Sequence, residues 1–152
     1  MAAPTVKEQN DRIRAIMAAY SGIGTDASEG ADIAALPAFI VNPLGTTQRQ
    51  QNATRRWLVT REFEVIGLIA LMSDASKYAN RYDAYESAEG VLEAWIAWID
   101  AHPRLSLNSV PLVVGTGDIL DGGFGTYTYP ANGAGKEYSA FRFTIPVTTY
   151  RP

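Results

Sequence analysis

Few residues in this chain have the types and spacing that chemistry needs. Among its 152 residues there is one histidine, His102, and no cysteine. Disulfides and thiolate metal ligation are therefore excluded, and a zinc site would have to be built mostly from carboxylates, which is rare. His102 stands before Pro103 at the expected end of a helix, where the dipole favours a cation and a structural role suffices. No Gly-x-Ser-x-Gly elbow is present to complete a Ser-His-Asp arrangement around it. Glu62 and Glu64 share one strand face and so have the spacing of paired acids. Such pairs more often belong to a solvated or contact face. Gly22-Ile-Gly24 is too short for a dinucleotide fingerprint, and Gly115-Thr-Gly117-Asp118 lacks the lysine of a phosphate loop, so both read as turns. No cofactor and no metal are expected, and the chain reads as a protein that is not an enzyme.

The charges suggest contacts instead. Arg49, Arg55 and Arg56 make the one basic cluster, and Asp83, Glu86, Glu89 and Glu93 form an acidic series. Surfaces of opposite sign on neighbouring subunits can pair. Tyr127 and Tyr129 sit in a Gly-rich hairpin, and tyrosine suits interfaces because it joins an apolar body to a polar tip. The candidate subunit-interface residues are thus Arg49, Arg55, Arg56, Glu62, Glu64, Tyr127 and Tyr129. The net charge of −3 gives no reason to expect nucleic acid, whose binding usually demands a strongly basic face. The apolar run from Val65 to Met72 is too short to span a bilayer, and the N-terminus lacks the apolar core of a signal peptide. The expectation is a protein made and used in solution.

The elements that would position these residues follow from periodicity. Val6, Ile13, Ile16, Met17 and Tyr20 line one face of an N-terminal helix, with Thr5 and Glu8 spaced as a capping box. That stripe either packs on the chain's own sheet or docks on a neighbour. Residues 21–32 read as a loop and Leu36 to Val41 as a short strand. Asn42 to Asn52 reads as a polar, solvated loop, with a contact loop for a partner as the alternative. Thr54 to Leu71 alternates as a long strand, both of whose faces become apolar past Glu64, with Gly67 marking a bend or bulge. A long helix should start at Ser73 or Asp74, weaken at Gly90 and stop at His102-Pro103. Strand material around Val110 to Val114 and Ile119 to Leu120 precedes a hairpin through Tyr127 and Tyr129 to a final alternating strand from Tyr138. Trp57, Trp95 and Trp98 read as core. The fold class is α+β: a single domain over 1–152, with a four- to five-stranded, mostly antiparallel sheet. One face should be covered by a long central helix and the N-terminal helix.

This order resembles the tail terminator (tail-completion) proteins of long-tailed bacteriophages. Leu36-Pro-Ala-Phe-Ile-Val41 is similar to the family's first short strand and Trp57 to Ile69 to its long second strand. Asp83 to Ala101, closed by His102-Pro103-Arg104-Leu105, is similar to its central helix. Tyr138-Ser-Ala-Phe-Arg-Phe-Thr-Ile145 is similar to its last strand. The segment Ser73 to Arg81 and the Gly-rich span Gly115 to Gly125 depart from the leanest form of that pattern. The resemblance implies a virion structural protein, typically a homo-hexameric ring at the head-proximal end of the tail. Such a ring stops the growth of the tail tube protein and offers a surface to the head-closure or connector protein. It implies no catalytic residues. A neck adaptor or minor tail protein is the alternative of the same class, and a small ligand-binding domain or enzyme that of another.

Overall fold

The computed structural model describes residues 4–30, 32–51, 56–73, 81–106, 115–116, 120–130 and 135–151. Helix α1 spans Val6–Ala18. Thr5 caps it as the spacing predicts: its hydroxyl accepts from the Glu8 N–H at 3.1 Å, and the Glu8 carboxylate accepts from the Thr5 N–H at 2.6 Å. Ile13, Ile16 and Met17 are fully buried, and the helix lies over its own sheet at β2 (Ala38–Gln51). Removing the cap oxygen orphans a helix N–H, so Thr5→Ala should cost about 1 kcal/mol and Thr5→Gly only a few tenths. Urea unfolding of the two variants checks this; equal losses would contradict the cap.

The remaining strands are β1 (Thr25–Asp26), β3 (Arg56–Leu71), β4 (Gly115–Thr116), β5 (Leu120–Tyr129) and β6 (Lys136–Arg151). The order across the sheet is β1-β2-β3-β6, with β4 and β5 both lying beside β6, so six strands fill five positions. Only the β1–β2 pair is parallel. The α+β class therefore holds, with two two-residue strands added to the expected set.

Three expectations are corrected. The polar stretch from Asn42 to Gln51 is strand rather than loop, because β3 continues beside it and supplies backbone partners as far as Gln51↔Arg56. A shift in register between Pro43 and Gly45 bulges Leu44 out of that strand, leaving it half exposed. Gly115–Thr116, read as part of a turn, pairs with Thr148 and Val147 of β6. The long central helix is not borne out. Helix α2 spans Arg81–Asp100, Ser73 lies in a turn, and residues 74–80 lie outside the described residues. The cover is divided, α1 lying over β2 and α2 over β6. A helix about 10 Å wide cannot roof strands spaced about 4.8 Å apart across five positions. The expected strand at Val110 to Val114 also lies outside the described residues, as do Ile119 and the side chain of Trp57.

The helix-side core gathers Ile13, Ile16, Met17, Leu92, Trp95 and Ile99 onto Phe39, Val41, Phe63, Val65, Phe141, Phe143, Ile145 and Val147. Trp95 is fully buried at its centre, edge-on to Phe141 at 5.1 Å and to Phe39 at 6.4 Å. Gly67 pairs across strands with Phe141, whose ring occupies the place where a Cβ on Gly67 would stand. The register shift in β3 falls just after it, between Leu68 and Ala70. The opposite face carries a second cluster, in which Ile33 and Leu36 from the loop before β2 pack against Ala38, Ile40, Ile66, Leu68, Tyr138 and Ala140. This explains why both faces of β3 turn apolar beyond Glu64.

After α2 the chain turns through His102 to Leu105. Leu105 adopts φ 50° yet is fully buried. Its N–H donates to His102 O at 2.9 Å, and its carbonyl accepts from Arg12 Nε at 3.1 Å. A left-handed residue other than glycine costs about 1 kcal/mol, which the buried leucine side chain offsets.

Candidate functional site

The sheet face away from the helices is built by alternate residues of β3, β5 and β6. Its end near Ile66 and Leu68 is roofed by the loop before β2. Its other end carries Thr60, Glu62, Glu64, Arg142, Thr144 and Thr148 on adjoining strands. Thr60 and Thr148 share a hydroxyl hydrogen bond at 2.9 Å. Arg142 lies 3.8 Å from Glu64 and 5.6 Å above the Tyr127 ring. The two carboxylates of Glu62 and Glu64 do share this face, but they are not a facing pair. They are two residues apart, about 7 Å along a strand. Glu62 is exposed opposite Pro146, while Glu64 is half-buried and held by Arg142. That arrangement suits a charged contact surface better than shared proton transfer.

Gly123 and Gly125 oppose Arg142 and Ala140, and with no Cβ to fill the space they leave a groove of about 90 Å³ beside Phe124 and Thr126. Ligand pockets usually hold about 300–1,000 Å³, so the groove admits a side chain rather than a metabolite.

Tyr127 and Tyr129 are half-buried within their own chain. The Tyr129 hydroxyl donates to Ala27 O at 3.2 Å. Burial first, then the charge of Asp32 and the neighbours Tyr127 and Tyr138, raise the Tyr129 pKa above the ordinary value. A raised phenol pKa means that its contribution to stability is present at neutral pH and is lost as pH climbs through the folded-state pKa. In an ultraviolet difference titration, Tyr129→Phe should remove a tyrosine that ionises later than the exposed ones. Loss of only an early-ionising tyrosine would contradict the burial.

Arg49 and Arg56 stand on β2 and β3, opposite Leu58 and Gln51 respectively; Arg55 and the three arginine side chains lie outside the described residues. Glu86, Glu89 and Glu93 are exposed on α2, on the side away from the buried Ala88, Leu92, Trp95 and Ile99. His102 has Nδ1 2.8 Å from Trp98 O and its ring 4.8 Å from the Trp98 ring, consistent with a structural role at the helix end. Among the described residues, no group of three or more His, Asp or Glu side chains is placed to hold a metal ion.

Two arginines escaped the sequence reading. Arg142 lies in a strand of apolar neighbours, and only the cross-strand register reveals its pairing with Glu64. Arg61 points to the helix side, where its Nη1 donates to Pro4 O at 2.8 Å and to Gln9 Oε1 at 2.9 Å. Gln9 is fully buried. Trp98 Nε1 donates to Ile16 O at 2.7 Å, and Arg14 binds Asp26 at 3.0 Å and Glu29 at 2.9 Å. Together these bonds fasten α1 to the rest of its own chain. In comparison with known proteins, the chain matches no family model and no curated protein.

Proposed function

We propose that this chain is a structural subunit of a long phage tail, forming a ring that caps the head-proximal end of the tube and presents a surface to the head connector. The observation that carries this reading is the pair of open sheet edges. Among the described residues, the outer edge of β2 beyond Phe39 has no strand beside it, and β5 pairs only with β6. Open edges on opposite sides of one sheet let identical subunits add in one direction, and a closed ring leaves neither exposed. The bulge at Leu44 bends the β2 edge and discourages indiscriminate pairing. The order of elements supports the same reading, since α1, the β2–β3 hairpin, α2 and the β5–β6 hairpin follow the family's pattern. A head-closure adaptor shares this architecture and differs by its place in the particle. The small groove beside Arg142 gives no support to a ligand-binding enzyme.

The test is growth of tail tube protein with and without this chain. Tubes should acquire a terminal ring at one end and stop lengthening. Tubes that grow unaffected, with the chain binding connector alone, would replace the terminator reading by the adaptor one.

A further inference from the structure

The two open edges of the sheet differ in shape. On β2 the bulge sets Leu44 outside the pairing, and its side chain is 53% exposed. On β5 there is a gap instead. Gly123, Phe124, Gly125 and Thr126, with Ala140 and Arg142 of β6, line a groove of about 90 Å³. Glycine weakens the interior of a strand, and its usual reasons are a bulge, a bend or a closely approaching backbone. The φ of 95° accounts for Gly123. Nothing among the described residues accounts for Gly45, next to Leu44, or for Gly125. Neither has a left-handed φ, and a Cβ on either would meet no atom within 4 Å. One such glycine stands on each open edge.

Strand directions and registers fit these edges to each other. β2, β3, β6 and β5 alternate in direction. A second copy set beside the first, same face forward, therefore meets it antiparallel, and the pattern of the sheet continues across the junction. Set level, the free edges barely overlap. Leu120 and Asn42 both stand at the height of Thr144, and from there β2 runs on in one direction and β5 in the other. Leu44 falls between the heights of Ile145 and Pro146, and Gly125 falls at that of Ala140. A shift of five to six residues, about 18 Å, brings the two together. The same shift lays residues 120–126 along residues 42–48. That part of β2 starts just past Val41, whose N–H donates to Ser28 Oγ at 3.0 Å. Across four long strands, about 19 Å wide, the shift tilts the strands by about 43°, within the range of about 35–45° at which sheets close on themselves.

Charge agrees with shape. Glu62, opposite Gly45, is exposed and forms no ion pair with a described cation. Arg142 walls the groove with its side chain about half exposed. Both stand on the sheet face away from the helices, and the shift leaves them within about two residues of one height.

We propose that Leu44 of one copy seats in the Gly125 groove of the next, as β2 and β5 pair antiparallel across the junction, with Glu62 and the neighbour's Arg142 at its rim. The inference rests on the ring reading above and names the contact that closes the ring. The occupant is a second copy because the knob, its glycine and its carboxylate lie on one edge, and the groove, its glycine and its guanidinium lie on the other. Such a contact is heterologous and propagates around a ring. The bulge is then selective, because an edge without a gap cannot pair past Leu44.

The chain has no cysteine, so disulfide trapping reads the contact directly. Leu44→Cys and Gly125→Cys are made as separate full-length variants, one carrying a mass tag, and mixed under mild oxidation. A disulfide needs Cα atoms within about 7 Å, so the mixed dimer should exceed either homodimer at least about 10-fold. Met72→Cys, at a residue as exposed as Leu44, should give no such excess with Gly125→Cys. Gly125→Val fills the groove and Leu44→Asp spoils the knob. Each should weaken self-association at least about 10-fold in light scattering. The Tm of dilute Gly125→Val should nevertheless be unchanged or higher, since its Cβ has room and valine suits a strand; a lowered Tm would give the glycine a role within its own fold and count against the contact. No excess of mixed dimer, or rings of both variants that form as the wild type's do, would overturn this contact and leave the ring reading standing. An intact mixed disulfide in a protein that fails to cap tail tubes would keep the contact and sink the tail reading. Leu44→Asp that loses tube protein yet still self-associates would assign the knob to that partner and overturn the proposal.

Discussion

Trp95→Ala is expected to remove about 3–5 kcal/mol of unfolding free energy, the range for emptying a large buried aromatic site. The indole is fully buried and is the point where α2 meets the sheet, with Phe39 and Phe141 on two strands packed edge-on against it. On the same face of α2, Leu92 lies about one turn away and Ala88 about two, so neither stands in place to fill the void. Domains of this size are stable by about 5–15 kcal/mol, so the loss takes a large part of the margin. Trp95→Phe should be much milder. It keeps most of the volume and removes an indole N–H that has no hydrogen-bond partner among the described residues, a group whose burial is itself unfavourable. Denaturant unfolding followed by far-ultraviolet circular dichroism separates the two variants. A loss below about 1 kcal/mol for Trp95→Ala would mean that α2 does not seat on the sheet as described.

The second large effect is expected at Gly67. A methyl group there meets the Phe141 ring directly, and that ring is fully buried between Trp95 and Phe143. Gly67→Ala should therefore destabilise by about 1–3 kcal/mol, the usual cost of overpacking, although alanine is otherwise the better strand residue. The diagnostic measurement is the double-mutant cycle with Phe141→Leu. The smaller side chain opens room for the methyl, so the two substitutions together should cost less than their sum. Strict additivity would show that Phe141 does not lie over Gly67. The glycine thus serves an aromatic cover on the adjacent strand, in the manner by which aromatic residues compensate a glycine in a sheet.

The sequence made some of this legible for specific reasons. The alternation in Trp57 to Ile69 and Tyr138 to Thr149 records a sheet with one face more buried, and both became strands. The Thr5–Glu8 pair is a local signal and was realised as a capping box. What escaped was set at a distance. Asn42 to Gln51 has no apolar alternation, and it is strand only because β3 runs beside it. Thr25–Asp26 and Gly115–Thr116 pair through two residues each, which no periodicity can reveal.

The candidate surface was legible in part. Glu62 and Glu64 do share a face, and the acidic residues of α2 are exposed. The pairing of Glu64 with Arg142, 78 positions away by their numbering, depends on register. Arg61 illustrates the same limit. It reads as one more polar residue on an alternating strand, yet it fastens the start of α1 through Pro4 and Gln9.

The ring proposed for the head-proximal end of a phage tail stands or falls on where this chain sits in the particle. Electron cryomicroscopy of tails assembled with this chain tests it most directly. One closed ring at the head-proximal end is expected, with neighbouring sheets meeting edge to edge and each copy retaining α1 on its own sheet. Tails that end without this chain, or that carry it elsewhere along their length, would contradict it.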